Sequence, residues 1–118
     1  MLLDLKTRVQ EPDILVIELA GRITLGREST HIEDTVVQAV KDGVRKVVMD
    51  VSKVHSIDSS GVGIIAFSFG KLSKHGGRFF LAGATGNVLD ILQMTRLDSV
   101  IPFSNSVNEA CSAIESQA

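Results

Sequence analysis

The chain has 118 residues, of which 44% are hydrophobic and 22% charged, with a formal net charge of −2. This is enough for one domain with a buried core and too apolar for a disordered segment. The slight negative charge, the lack of any basic run and the absence of Trp and Tyr argue against direct binding of nucleic acid.

"LDLKTRV" alternates, with Leu3, Leu5, Thr7 and Val9 on one face and Asp4, Lys6 and Arg8 on the other, the pattern of a half-exposed strand. "EPD" reads as a turn. "ILVIELA", Ile14 to Ala20, is apolar enough for a more buried strand, and the short connection implies an antiparallel hairpin. After "GRITLG" the period changes: Ile32, Val36, Ala39 and Val40 recur at helical spacing, Thr30 and Glu33 have capping-box spacing, a start nearer Gly26 is the alternative, and Gly43 ends the helix. "KVVMDV", Lys46 to Val51, is a third strand.

A second helix follows Ser59, with Val62, Ile65, Ala66, Phe69 and Leu72 on one face. Lys74 and His75 suit its C-terminal dipole, and Gly76-Gly77 breaks it. "RFFLAG" is a fourth strand, Val88, Ile91, Leu92 and Thr95 mark a third helix, and "SVIPF" is a short edge strand because Pro102 has no N–H to give. Ser106 and Glu109 form another capping box, ahead of a last helix that buries Val107, Ala110, Cys111 and Ile114. The order β-β-α-β-α-β-α-β-α predicts an α/β fold with a mixed, largely parallel sheet of about five strands.

The lone cysteine excludes an intrachain disulfide and favours a reducing compartment. The start "MLLDLKTRVQ" has an early charge and no long apolar core, so no secretory signal is expected, and no apolar run is long enough for membrane insertion. The expected location is the cytoplasm. His31, His55 and His75 lack metal-ligand spacing, and neither a metal nor another cofactor is expected. Cys111 and Met94 are expected to pack.

The chemistry concentrates in "VHSIDSSGVG", Val54 to Gly63. Asp58 or Ser59 can cap the following helix, since their side-chain oxygens accept from unpaired N–H groups. A nucleophile elbow needs Gly-x-Ser-x-Gly, but the run Ile57-Asp58-Ser59-Ser60-Gly61 lacks the first glycine. No histidine and carboxylate stand in an evident triad order, so no catalytic residue is assigned and an enzyme is not expected. "GVGIIA" matches a dinucleotide fingerprint only superficially: the strand is expected to end near Val51, and no Asp or Glu occurs from Ser59 to Leu89. A phosphate on a serine here would face free N–H groups at the positive end of the helix.

From Val54 to Ile101 the chain resembles the core of bacterial anti-sigma factor antagonists, the STAS domain family. The Asp-Ser-Ser-Gly-Val-Gly run, the Gly-Gly before a strand and "ILQMTRLDSVI" carry the resemblance, and "IELAGRIT" fits the family's second strand and the loop after it. The resemblance implies a single STAS-type domain over residues 1–118, with helices packed mainly on one face. It implies an anti-anti-sigma factor that regulates transcription in a stress response by partner switching. In its unphosphorylated form such a protein binds an anti-sigma factor that is also a serine kinase, and so releases a sigma factor. Phosphorylation of the serine after the aspartate, here Ser59, ends binding, and a PP2C-like phosphatase reverses it. Two other roles share the fold: a scaffold subunit of a stress-sensing complex, and a STAS subunit of a lipid ABC transporter.

The implied partner surface comprises Arg22, Ile23 and Thr24 with Asp58, Ser59, Ser60, Gly61, Val62, Gly63, Ile64 and Phe67. Many relatives carry an acidic residue in the loop where this chain reads Gly21-Arg22-Ile23-Thr24, which leaves the partner's identity open. Along the second helix, Ser60, Ile64, Phe67, Lys71 and Lys74 share a face. Large apolar side chains are usually covered, so Phe67 is expected to pack and the lysines to be solvated.

Overall fold

The structure, a computed structural model, describes residues 3–24 and 26–116. Its elements are β1 (Leu3–Gln10), β2 (Ile14–Ile23), α1 (Arg27–Lys41), β3 (Lys46–Ile57), α2 (Ser59–Lys74), β4 (Arg78–Ala82), α3 (Gly86–Met94), a 3-10 turn (Leu97–Ser99), β5 (Phe103–Ser104) and α4 (Val107–Ser116). The strands form one sheet in the order β1-β2-β3-β4-β5. β1 and β2 pair antiparallel as the expected hairpin, and all other neighbours are parallel.

Strand alternation divides the apolar residues between two cores. Ile17, Leu19, Val47, Met49, Val51, Phe79 and Leu81 face α1, α2 and α3, meeting Ile32, Val36, Ile65, Leu72, Val88 and Leu92. Ile14, Val16, Val48, Phe80 and Ala82 face the opposite way and are covered by Ala110, Cys111 and Ile114 of α4. The central strands therefore read as unbroken apolar runs, because both faces are buried. Cys111 is core, as expected, and burial pushes its thiol pKa up. Among the described residues no helix is long and apolar enough to cross a membrane.

Helix ends follow their local chemistry. At the C-terminus of α2 the N–H of Gly77 donates to the Leu72 carbonyl and that of Gly76 to Ser73, with Gly76 at φ 78°. This 6→1, 5→2 pair satisfies carbonyls the helix leaves open, and glycine enters the left-handed region at no steric cost. Ser106 caps α4, accepting from the Glu109 N–H at 3.2 Å. The Thr30–Glu33 capping box does not form. α1 takes the alternative start, directly after Gly26, and the Thr30 hydroxyl donates back to the Gly26 carbonyl.

Other expectations need correction. β2 and β3 run on to Ile23 and Ile57, past Ala20 and Val51, because each supplies the other's backbone partners. β4 leaves the ladder at Ala82 and the described part of β1 pairs no further than Gly21, so beyond Val54 the pair continues as a two-stranded ribbon. β5 is only Phe103–Ser104: Ser99 belongs to a 3-10 turn and Pro102 precedes the strand. Val9 and Met94 are exposed, at 61% and 80%.

Candidate partner-docking site at the start of α2

The ribbon carries the end of β2 to the start of α2. Arg22 pairs with Ser56 and Ile23 with Ile57, and the Asp58 N–H donates to the Ile23 carbonyl at 3.2 Å. Arg22 and Ile23 are thus strand residues, and the segment expected to be a loop is braced against the helix start.

Asp58 is the N-cap of α2, in extended conformation, and its Oδ1 accepts from the Gly61 N–H at 3.0 Å. Of the two candidate caps it is therefore the aspartate that performs this role, and Ser59 becomes the first helical residue. Ser59 is exposed and Ser60 half-buried. At the helix start and the ribbon end, Arg22, Asp58, Ser59, Gly63 and Phe67 are exposed, and Thr24, Ser60 and Val62 half-buried.

Three of the residues expected at the partner surface lie beneath it. Ile23 is fully buried, Ile64 is 7% exposed, and Gly61 sits between Ile23 and Ile57. They form its floor, because the helix presses its Gly61 side onto the ribbon. Phe67 departs in the other direction: it is 39% exposed where packing was expected. Two residues bordering the site escaped the sequence reading. Ser56, half-buried opposite Arg22, lies beyond Val51, where the buried residues Val54 and Ile57 are three apart and the alternation that marks a strand is lost. Gly70, exposed one turn after Phe67, carried no motif.

The geometry also bears on the enzymatic readings. Gly61 and Gly63 lie inside α2, not in a loop between strand and helix, although β3 does run almost to the helix, contrary to the expected gap. A dinucleotide fingerprint needs those glycines in the turn itself. His55 is exposed on β3, and among the described residues no three His, Cys, Asp or Glu side chains converge as metal ligands.

Fold and site together define an α/β domain with a mixed five-stranded sheet and an exposed, aspartate-capped helix start. The chain belongs to the STAS domain family, whose model matches residues 6–110. A Thermotoga maritima protein named "Putative anti-sigma factor antagonist" is 29% identical over 97 residues, covering 80% of this chain and 86% of that one. The crystal structure of an anti-sigma factor antagonist from Mycobacterium paratuberculosis matches with a TM-score of 0.82 at 23% identity, over 96% of this chain and 94% of that one. The Bacillus cell fate determinant SpoIIAA, in its phosphorylated form, matches with a TM-score of 0.74 at 18% identity, over 94% of this chain and 99% of that one. The two solved structures share the fold of this chain.

Proposed function

We propose that this protein is an anti-sigma factor antagonist that docks an anti-sigma factor through the start of α2 and the end of β2, and that phosphorylation of Ser59 switches docking off. The observation that carries this reading is the position of Ser59: exposed, first in α2, directly after the aspartate that caps it. A kinase active site can reach this hydroxyl without unfolding anything. The reading is supported by the names of the relatives and by the existence of SpoIIAA in a phosphorylated form.

The switch has a simple electrostatic basis. A phosphate adds about −1.5 to −2 charges. The helix dipole and its free N–H groups accommodate that charge, so the domain stays folded. The Asp58 carboxylate beside it makes the modified patch strongly anionic, and a partner built for a neutral serine is repelled. The kinase is the anti-sigma factor itself, using ATP, and a PP2C-like phosphatase resets the site.

The test is to incubate the protein with Mg-ATP and the purified anti-sigma factor of its host, and map phosphate by fragmentation mass spectrometry. Calorimetry then compares Ser59→Ala with Ser59→Asp. Phosphate on Ser59, with binding kept by the alanine variant and lost by the aspartate variant, is expected. Equal affinities would remove Ser59 from the switch.

A further inference from the structure

The solvent side of α2 extends well beyond the serines. Ser59, Gly63, Phe67, Gly70 and Lys74 follow one another at i, i+4, i+8, i+11 and i+15, and all five are exposed. Phe67 is the only large hydrophobic side chain among the described residues of α2 that stands exposed, at 39%. Burying an aromatic of this kind on a partner gives a large return in free energy, and leaving it in water gives none.

Glycines flank it along the helix, and α2 itself carries no acid. A Cβ on Gly63 or on Gly70 would meet nothing within 4 Å, and neither has a positive φ. Nothing inside the fold therefore requires glycine at either place, although glycine inside a helix is less favourable than alanine. Gly61 is different, since its missing Cβ makes room for Ile23 and Ile57. The charges of α2 are of one sign: Lys71 and Lys74 lie in the last turn, and the helix has no Asp or Glu. α1, which packs against α2, carries half-buried Glu33, whereas its Asp34 and the C-capping Asp42 line an open groove with residues of β1.

We infer that the docking surface runs the length of α2, and that the partner's face is acidic with an apolar socket for Phe67, closing over Gly63 and Gly70 at near-backbone distance. The inference rests on the docking reading above and extends it from the switch to the character of the partner. Phe67 supplies the anchor, the two glycines let the partner approach, and Lys71 and Lys74 select for acid and steer the encounter.

The experiment measures affinity for the purified anti-sigma factor at two salt concentrations, for wild type, Phe67→Ala, Gly63→Ala/Gly70→Ala, Lys71→Glu/Lys74→Glu and Ser59→Asp, with thermal unfolding of each. Phe67→Ala is expected to weaken binding about 30-fold, the usual scale of an interface hot spot. The glycine pair is expected to bind at least about tenfold more weakly while its melting temperature rises by several degrees, because alanine favours the helix. A merely structural glycine would move both in the same direction. The lysine pair is expected to lose most of its affinity at low salt and to flatten the salt dependence. If Phe67→Ala and the glycine pair bind like wild type while Ser59→Asp does not, the extended surface is wrong and the switch stands. If Ser59→Asp binds like wild type while Phe67→Ala does not, the switch is wrong and the surface stands. Self-association through Phe67 in sedimentation, without binding to the anti-sigma factor, would overturn the proposed partner.

Discussion

Gly61 of α2 lies directly against Ile23 of β2: a Cβ built on the glycine would stand 2.5 Å from the Ile23 carbonyl oxygen and 2.5 Å from Ile57 Cγ1. That carbonyl also accepts the Asp58 N–H, so it cannot turn aside without loosening the helix start. Gly61→Ala is therefore expected to destabilise the domain by about 1–3 kcal/mol, the range for overpacked cores. Urea unfolding checks this. An unchanged midpoint would mean that helix and ribbon separate easily.

Asp58 has a role that does not depend on any partner. Its Oδ1 holds the Gly61 N–H at 3.0 Å, one of the donors that every helix leaves open at its start. Asp58→Ala is expected to cost about 1 kcal/mol, and Asp58→Asn close to nothing, since asparagine caps equally well. Equilibrium unfolding of the two variants separates the cap from the charge. A loss with asparagine as large as with alanine would show that the carboxylate's charge matters more than its hydrogen bond.

How far this site can be read from sequence follows from what periodicity reports. The change of period before Ile32, the glycines at positions 43 and 76, and the Ser106–Glu109 spacing mark local events, and each appears in the fold where the residues place it. The burial of Ile23 and Ile64 and the exposure of Phe67 are not local. They depend on how α2 is rotated on the ribbon, which is set by the Gly61 contact with a strand far away in the chain. The extension of β3 to Ile57 is hidden for a related reason. Ser52, Lys53 and His55 look like loop residues, and only pairing with β2 makes them a strand. The sequence motif thus marked the helix start correctly but could not separate its surface from its floor.

At the far end of the sheet, Lys46 ties three elements together. Its Nζ lies 2.7 Å from Glu115 Oε1 on α4 and 3.3 Å from Asp13 Oδ2 in the β1–β2 turn. The hydrogen bond to Glu115, helped by Asp13 and opposed by desolvation, raises the lysine above its ordinary value of 10.5. A raised folded-state value means that the unfolded chain releases its proton first. The contribution is therefore fully present below pH 10.5 and is lost as pH climbs through the raised value. Glu115→Gln is expected to lower the Lys46 pKa and move the alkaline loss of stability to lower pH. A side-chain NMR titration of Lys46 reads the first effect directly, and an unmoved titration would show that Asp13 alone holds the lysine.

The C-termini of α1, α2 and α3 are built alike, with one exception in residue type. The position after the C-cap is Gly43 at φ 89° in α1 and Gly76 at φ 78° in α2, but Arg96 at φ 63° in α3. In each case the N–H at that position donates to the carbonyl three residues back: Gly43 to Val40, Gly76 to Ser73, Arg96 to Gln93. The left-handed region crowds a Cβ against the following carbonyl, at a cost of roughly 1–2 kcal/mol for a residue other than glycine. Glycine removes that cost but gives the unfolded chain more freedom, which offsets part of the gain. Arg96→Gly is thus expected to stabilise the domain by about 0.5–1 kcal/mol, read as a higher urea midpoint at unchanged slope. A lower midpoint would show that the arginine side chain makes a contact worth more than the strain of its backbone.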